Sequence, residues 1–155
     1  MDALQLARGL FVAAGAIHLL IGLLTPLFGF PPGIVGLSKR SDRQMWNRTS
    51  PELLEDPVVR ELRTHHHIVI AGLLCGLGVM ELAMAWFGIP SMPGPALYSL
   101  MAMGAVMFPY WIGMVLQFTR RGVDVTLWDV QPFVWAPTFL WAAGSVCAFV
   151  ALRPV

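Results

Sequence analysis

Polar and apolar residues are arranged along this chain in long blocks. Four nearly unbroken apolar runs, residues 9–30, 68–89, 96–118 and 132–152, are separated by shorter polar stretches. Each run is close to the roughly 20 residues that a helix needs to cross the hydrocarbon of a bilayer. Unpaired backbone is so costly in hydrocarbon that such runs must be helical. Gly15, Gly22, Pro109 and Pro137 fall inside them, and membrane helices tolerate both residue types. Pro109 and Pro137 are expected to kink the third and fourth helices, because proline removes a backbone donor and crowds the preceding turn. The predicted fold class is all-α, a four-transmembrane-helix bundle forming one integral membrane domain, with helices about 9–30, 57–89, 96–118 and 132–152. A charged loop of about residues 31–56 joins the first two.

Composition agrees with this pattern. Of the 155 residues 57% are hydrophobic and only 12% charged, against about 25% charged in a soluble domain. Lipid in place of water around the surface accounts for the deficit. The net charge of +1, with no basic stripe and interleaved aromatics, gives no argument for nucleic acid. Cys75 and Cys147 lie in apolar runs, where they act as small hydrophobes. The first run continues through Pro26 to Phe30 without a basic leader, so it predicts a retained helix and not a cleaved signal peptide.

Lys39, Arg40, Arg43, Arg48, Arg60 and Arg63 precede the second span, and Arg120 and Arg121 follow the third. The opposite side offers Arg8 and Arg153. Basic residues mark the cytoplasmic side, so loops one and three are expected in the cytoplasm and both termini outside. Within loop one, Ser50-Pro51 and then Asp56-Pro57 read as a cap followed by proline at the first helical position. The second helix is therefore expected to start at Pro57 and run straight into the membrane. Trp128, in the third loop, is an expected interfacial anchor.

Ionisable residues at membrane depth are costly and usually face a partner or a cavity. His18 shares a helical stripe with Gly15, Gly22, Thr25 and Gly29. That face suits either a histidine bonded across a close helix contact or a proton carrier. Glu81, the acid well inside a span, lies on the stripe of His67, Ala71, Leu74 and Gly78. His67 and Glu81 are roughly 21 Å apart along the axis, so Glu81 needs a partner on another helix or a place near the outer interface. On the third helix Tyr110, Gly113 and Gln117 share a face, and on the fourth Thr138, Trp141 and Ser145 do.

Three histidines, His65, His66 and His67, open the second apolar run. Neighbours on a helix diverge by 100°, so the three cannot ligate one metal together, and no i, i+4 pair of zinc ligands is present. A single imidazole suffices as an axial haem ligand. The alternative is that all three meet headgroups and water. His65 tops the face of Gly72, Gly76 and Ala83, and the Gly72–Gly76 spacing permits close backbone approach.

Leu-Ile-Gly-Leu-Leu-Thr-Pro-Leu-Phe at 20–28, a turn with Pro31-Pro32, and a histidine ahead of Ala71-Gly72-Leu73 form a recognisable order. With Phe108-Pro109-Tyr110 and Ala136-Pro137-Thr138-Phe139-Leu140, it resembles the small four-helix membrane isomerases of the styrene oxide isomerase and hydroxylaminobenzene mutase type. In that family an asparagine follows the histidine by six residues. Ala71 stands in its place here, which removes a polar substrate contact and selects His65, with His66 as the fallback. The resemblance implies a trimer holding haem b at its subunit interface, with His65 as axial ligand and Tyr110 positioning an epoxide. It implies Lewis-acid opening of a small apolar epoxide to a carbonyl compound.

Three functions follow as expectations. The first is the haem-dependent isomerase. The second is a non-enzymatic membrane subunit docking a partner through loop one. The third is a membrane-embedded acid catalyst of the cyclase type using Glu81, with His18, as proton donor.

Overall fold

A computed structural model describes residues 2–28, 39–124 and 132–153. Among them it contains helices and turns and no strand. Helix α1 spans Ala3–Phe28, α2 Lys39–Trp46, α3 Ser50–Glu55 and α4 Pro57–Ala83. A π-helical turn, Met84–Gly88, continues α4 into the short α5, Ile89–Ser91. Then come α6 (Pro93–Ala105), α7 (Met107–Arg120) and α8 (Pro132–Ala151). Three stretches, Ala3–Pro26, Pro57–Ser91 and Pro93–Arg120, are long and apolar enough to cross a membrane. The apolar part of α8, Trp135–Ala151, is shorter.

Local chemistry explains most boundaries. Asp56 caps α4, accepting from the amides of Val58 and Val59, with Pro57 in the first turn. The cap of α3 is Thr49, one residue earlier than the sequence suggests. Thr49 and Glu52 form a reciprocal capping box, because the Ser50 hydroxyl is turned away to donate to Asp42 at 2.6 Å. Helix α2 ends on Asn47, whose φ of 52° is a left-handed conformation that asparagine tolerates. The third apolar segment breaks at Val106, where Pro109 leaves the carbonyl of Ala105 without its helical donor. Pro137 lies inside α8.

Helix α1 is the centre of the packing, with α4 on one side and α8 on the other. The best-packed core lies at its N-terminal end, where Ala7 and Phe11 meet Ala85, Ile89, Ala96, Leu97, Leu100 and Ala148. Helix α6 packs on α8, and the Trp141 indole fills the space that Gly104 leaves, donating to the Leu100 carbonyl at 2.8 Å. Helix α7 packs chiefly on α6.

The π-turn has a function in this packing. Buried positions on the second apolar segment run Ala71, Gly78, Glu81, Ala85 and Ile89. In a regular helix residues four apart drift by 40°, so Ile89 would rotate off the face shared by Glu81 and Ala85. The wider turn returns it to that face. The turn also shifts the ladder so that the Ile89 amide donates to Met84. The next donor in that pattern is Pro90, which has no N–H, leaving the Ala85 carbonyl without one. Arg8 supplies it: its Nε donates to the Ala85 oxygen at 3.0 Å, and its guanidinium lies 5.2 Å from the centre of the Trp86 ring.

Candidate functional site: a buried His18–Glu81 pair

Helices α1 and α4 cross closely because the crossing is made of small residues. A Cβ on Gly78 would lie 2.5 Å from the Leu19 amide nitrogen and 2.7 Å from the Gly15 carbonyl. One on Gly22 would lie 2.6 Å from the Cys75 sulfur. Without a hydrophobic driving force between helices in lipid, such close backbone approach is a main source of association.

This crossing holds the pair at the centre of the site. His18, three residues beyond Gly15, places its Nδ1 2.7 Å from Oε2 of Glu81, three residues beyond Gly78. The Glu81 side chain is 3% exposed and the His18 imidazole 13%. At that distance one proton lies between the two atoms. Either the carboxylic acid donates to a neutral ring, or the ring, neutral or protonated, donates its Nδ1–H to the carboxylate. Both forms fit the contact, so the pair is a place where a proton can be kept and released inside a bundle.

Magnitudes separate stability from function here. An interhelical side-chain hydrogen bond in a membrane contributes on average about 0.6 kcal/mol and at most about 1.7. Desolvating an ionised carboxylate costs several kcal/mol, and buried ion pairs are often no better than apolar residues of the same volume. A buried acid is therefore weakly explained as a structural rivet. Ionisable residues at membrane depth point to function by default.

The sequence places His18 on a stripe of small residues and leaves Glu81 either a partner on another helix or a place near the outer interface. The structure joins the two. The remaining sequence candidates lie elsewhere. His65 and His66 are exposed on α4, and a Cβ on Gly72 or Gly76 would meet nothing within 4 Å, so this face is open in the single chain. Tyr110 is 77% exposed on α7. No packed surface joins it to His65, since α4 packs chiefly on α1 and α7 on α6. Gly113 and Gln117 are exposed on the same helix. Trp128 and Gly29 lie outside the described residues. Among the described residues no group of three or more His, Cys, Asp or Glu side chains forms a metal-binding cluster.

A second polar cluster joins residues that share no helical stripe in the sequence. Asp42, 6% exposed, accepts both Arg63 terminal nitrogens, at 2.7 and 3.1 Å, and the Ser50 hydroxyl. The Asp124 amide donates to the Gln44 side chain at 3.1 Å, tying the segment after α7 to α2. Comparison of the chain with protein-family models, with curated proteins and with solved structures finds no match.

Proposed function

We propose that this protein is a membrane-embedded acid catalyst that isomerises an apolar, lipid-partitioning epoxide, with the His18–Glu81 pair as its proton source. The observation that carries the reading is the 2.7 Å contact between two ionisable side chains buried in the α1–α4 crossing. Glu81, the more buried partner, fixes the imidazole through Nδ1 and holds charge behind it. His18, with its residual exposure, presents the other ring nitrogen to substrate. This is the division of labour by which an acid or base is oriented by a third group. The proton passes to the oxirane oxygen, a C–O bond breaks, and a hydride or alkyl group shifts to the cationic carbon. Loss of the hydroxyl proton back to the pair gives the carbonyl isomer, so nothing is consumed. A dry site protects the cation from water, and an apolar substrate arrives through lipid.

The same reading places four spans in the bilayer, with α8 as the fourth, loops one and three in the cytoplasm and both termini outside. Turnover of a lipid-soluble epoxide by protein in vesicles tests the chemistry. Glu81→Gln keeps the shape and removes the acid, and it is expected to lower the rate on the order of 10²-fold or more. Infrared difference spectra of wild type against Glu81→Gln, taken without substrate, should isolate a band of the Glu81 side chain. Turnover surviving that substitution overturns the proposal.

One observation favours a second reading, in which the same rearrangement is promoted by a haem iron. His65 stands above Gly72 and Gly76 on an open face, where its imidazole would hold a haem against a smooth surface. The single chain offers one wall only, so a homo-oligomer supplies the other, a trimer by the resemblance to the small membrane isomerases. Bound there, haem supplies a Lewis acid for the epoxide oxygen. A Soret band lost in His65→Ala and kept in His67→Ala supports this reading; colourless protein made with ample haem refutes it.

A further inference from the structure

Helix α2 is built inside out. Its acid, Asp42, is buried against Arg63 and Ser50, while its largest apolar side chain, Trp46, is 59% exposed. The helix is not free to turn over, because Asp42 and Gln44 tie it to α4, α3 and the segment after α7. An indole held outward by buried polar contacts is available to an apolar surrounding.

Depth along α4 identifies that surrounding. Arg63, which grips Asp42, precedes Ile68, where the apolar run begins, by five residues. At 1.5 Å per residue that is about 7.5 Å, and the headgroup layer outside the hydrocarbon is about 5–7 Å thick on each side. Helix α2, held at Arg63, therefore sits at the outer edge of the headgroup layer. Tryptophan is enriched at that level, where its amphipathic ring has both apolar and polar neighbours. The charge matches as well. Residues 39–48 carry four basic side chains and one acid, and that acid is taken up by Arg63. Arg43, one turn before Trp46, and Arg48, just after it, are exposed. Glu52, the next acid along the chain, forms the capping box with Thr49 and lies within electrostatic reach of Arg43 and Arg48.

We propose that α2 is a membrane-surface foot, with Trp46 seated among the headgroups of an anionic leaflet and Arg43 and Arg48 contacting lipid phosphates. Basic residues near such a surface are drawn to it by its negative potential. The foot holds loop one against the bilayer at the cytoplasmic end of the α1–α4 pair. It depends on the membrane reading and not on the chemistry of His18 and Glu81.

The test uses full-length protein in vesicles of phosphatidylcholine with phosphatidylglycerol, the lipids brominated near the top of their acyl chains. The difference in fluorescence between wild type and Trp46→Phe isolates the Trp46 signal from the other five tryptophans. That signal is expected to be quenched by the brominated lipid and shielded from aqueous iodide, and the shielding should weaken in Arg43→Gln/Arg48→Gln. A Trp46 signal open to iodide and unquenched by bromine, while the other tryptophans are quenched, overturns the foot alone. If no tryptophan is quenched, the membrane reading falls and the foot falls with it.

Discussion

Adding one methyl group at Gly78 should separate α1 from α4 and pull the His18–Glu81 pair apart. The new Cβ would stand 2.5 Å from the Leu19 nitrogen and 2.7 Å from the Gly15 oxygen, and neither backbone atom can rotate aside. Ordinary contact begins near about 3.5 Å, so α1 must retreat by about 1 Å. The same displacement stretches the 2.7 Å contact between His18 and Glu81 toward about 3.7 Å, beyond hydrogen-bonding reach. Overpacking costs about 1–3 kcal/mol, and the lost interhelical bond adds about 0.6–1.7 kcal/mol. Gly78→Ala is therefore expected to be destabilised by about 2–5 kcal/mol, read by reversible unfolding in mixed micelles with increasing dodecyl sulfate. Gly9→Ala is the control, since a Cβ there meets nothing within 4 Å and should change stability by about 0.5 kcal/mol or less. In the infrared, the Glu81 carboxyl band should move in Gly78→Ala and stay in Gly9→Ala. Equal stability of the two variants, with the band unmoved in both, refutes the close-crossing argument.

Two further outcomes follow from the structure. Arg8→Met orphans the Ala85 carbonyl at the π-turn, a loss of about 1–3 kcal/mol, and amide exchange should accelerate at residues 84–91 ahead of the rest of α4. At the exposed α3 cap, the backbone N–H of Thr49, and then its side chain, hold the Glu52 carboxyl below its ordinary value of 4.5. A lowered folded value means that the capping contribution is present above the unfolded value and lost as pH falls through the folded one. Acid should therefore fray α3 first, a Glu52 titration followed by NMR should show the depressed midpoint, and Thr49→Ala should bring it back toward 4.5.

The helical nature of the chain was legible because membrane-length apolar runs leave the backbone no alternative to helix. The start of α4 was legible because Asp56-Pro57 is a local signal, read within three residues. The start of α3 differed by one residue because Ser50 has a tertiary claim on it from Asp42, eight residues away. The π-turn lay under an unremarkable apolar stretch; Pro90 was its one local hint, and its other support, Arg8, comes from a different helix.

Which residues are costly at membrane depth, and on which helical stripe each stands, can be read from residue type and spacing alone. Periodicity assigns a face, and it does so for His18 and for Glu81 separately. That the two faces meet depends on packing, because partners 63 residues apart are chosen by the register of two antiparallel helices. That register is set where Gly15, Gly22 and Gly78 let backbones touch. The same holds for loop one: its charges were plain in the sequence, but which acid turns inward and which tryptophan outward depended on Arg63 reaching Asp42 across 21 residues.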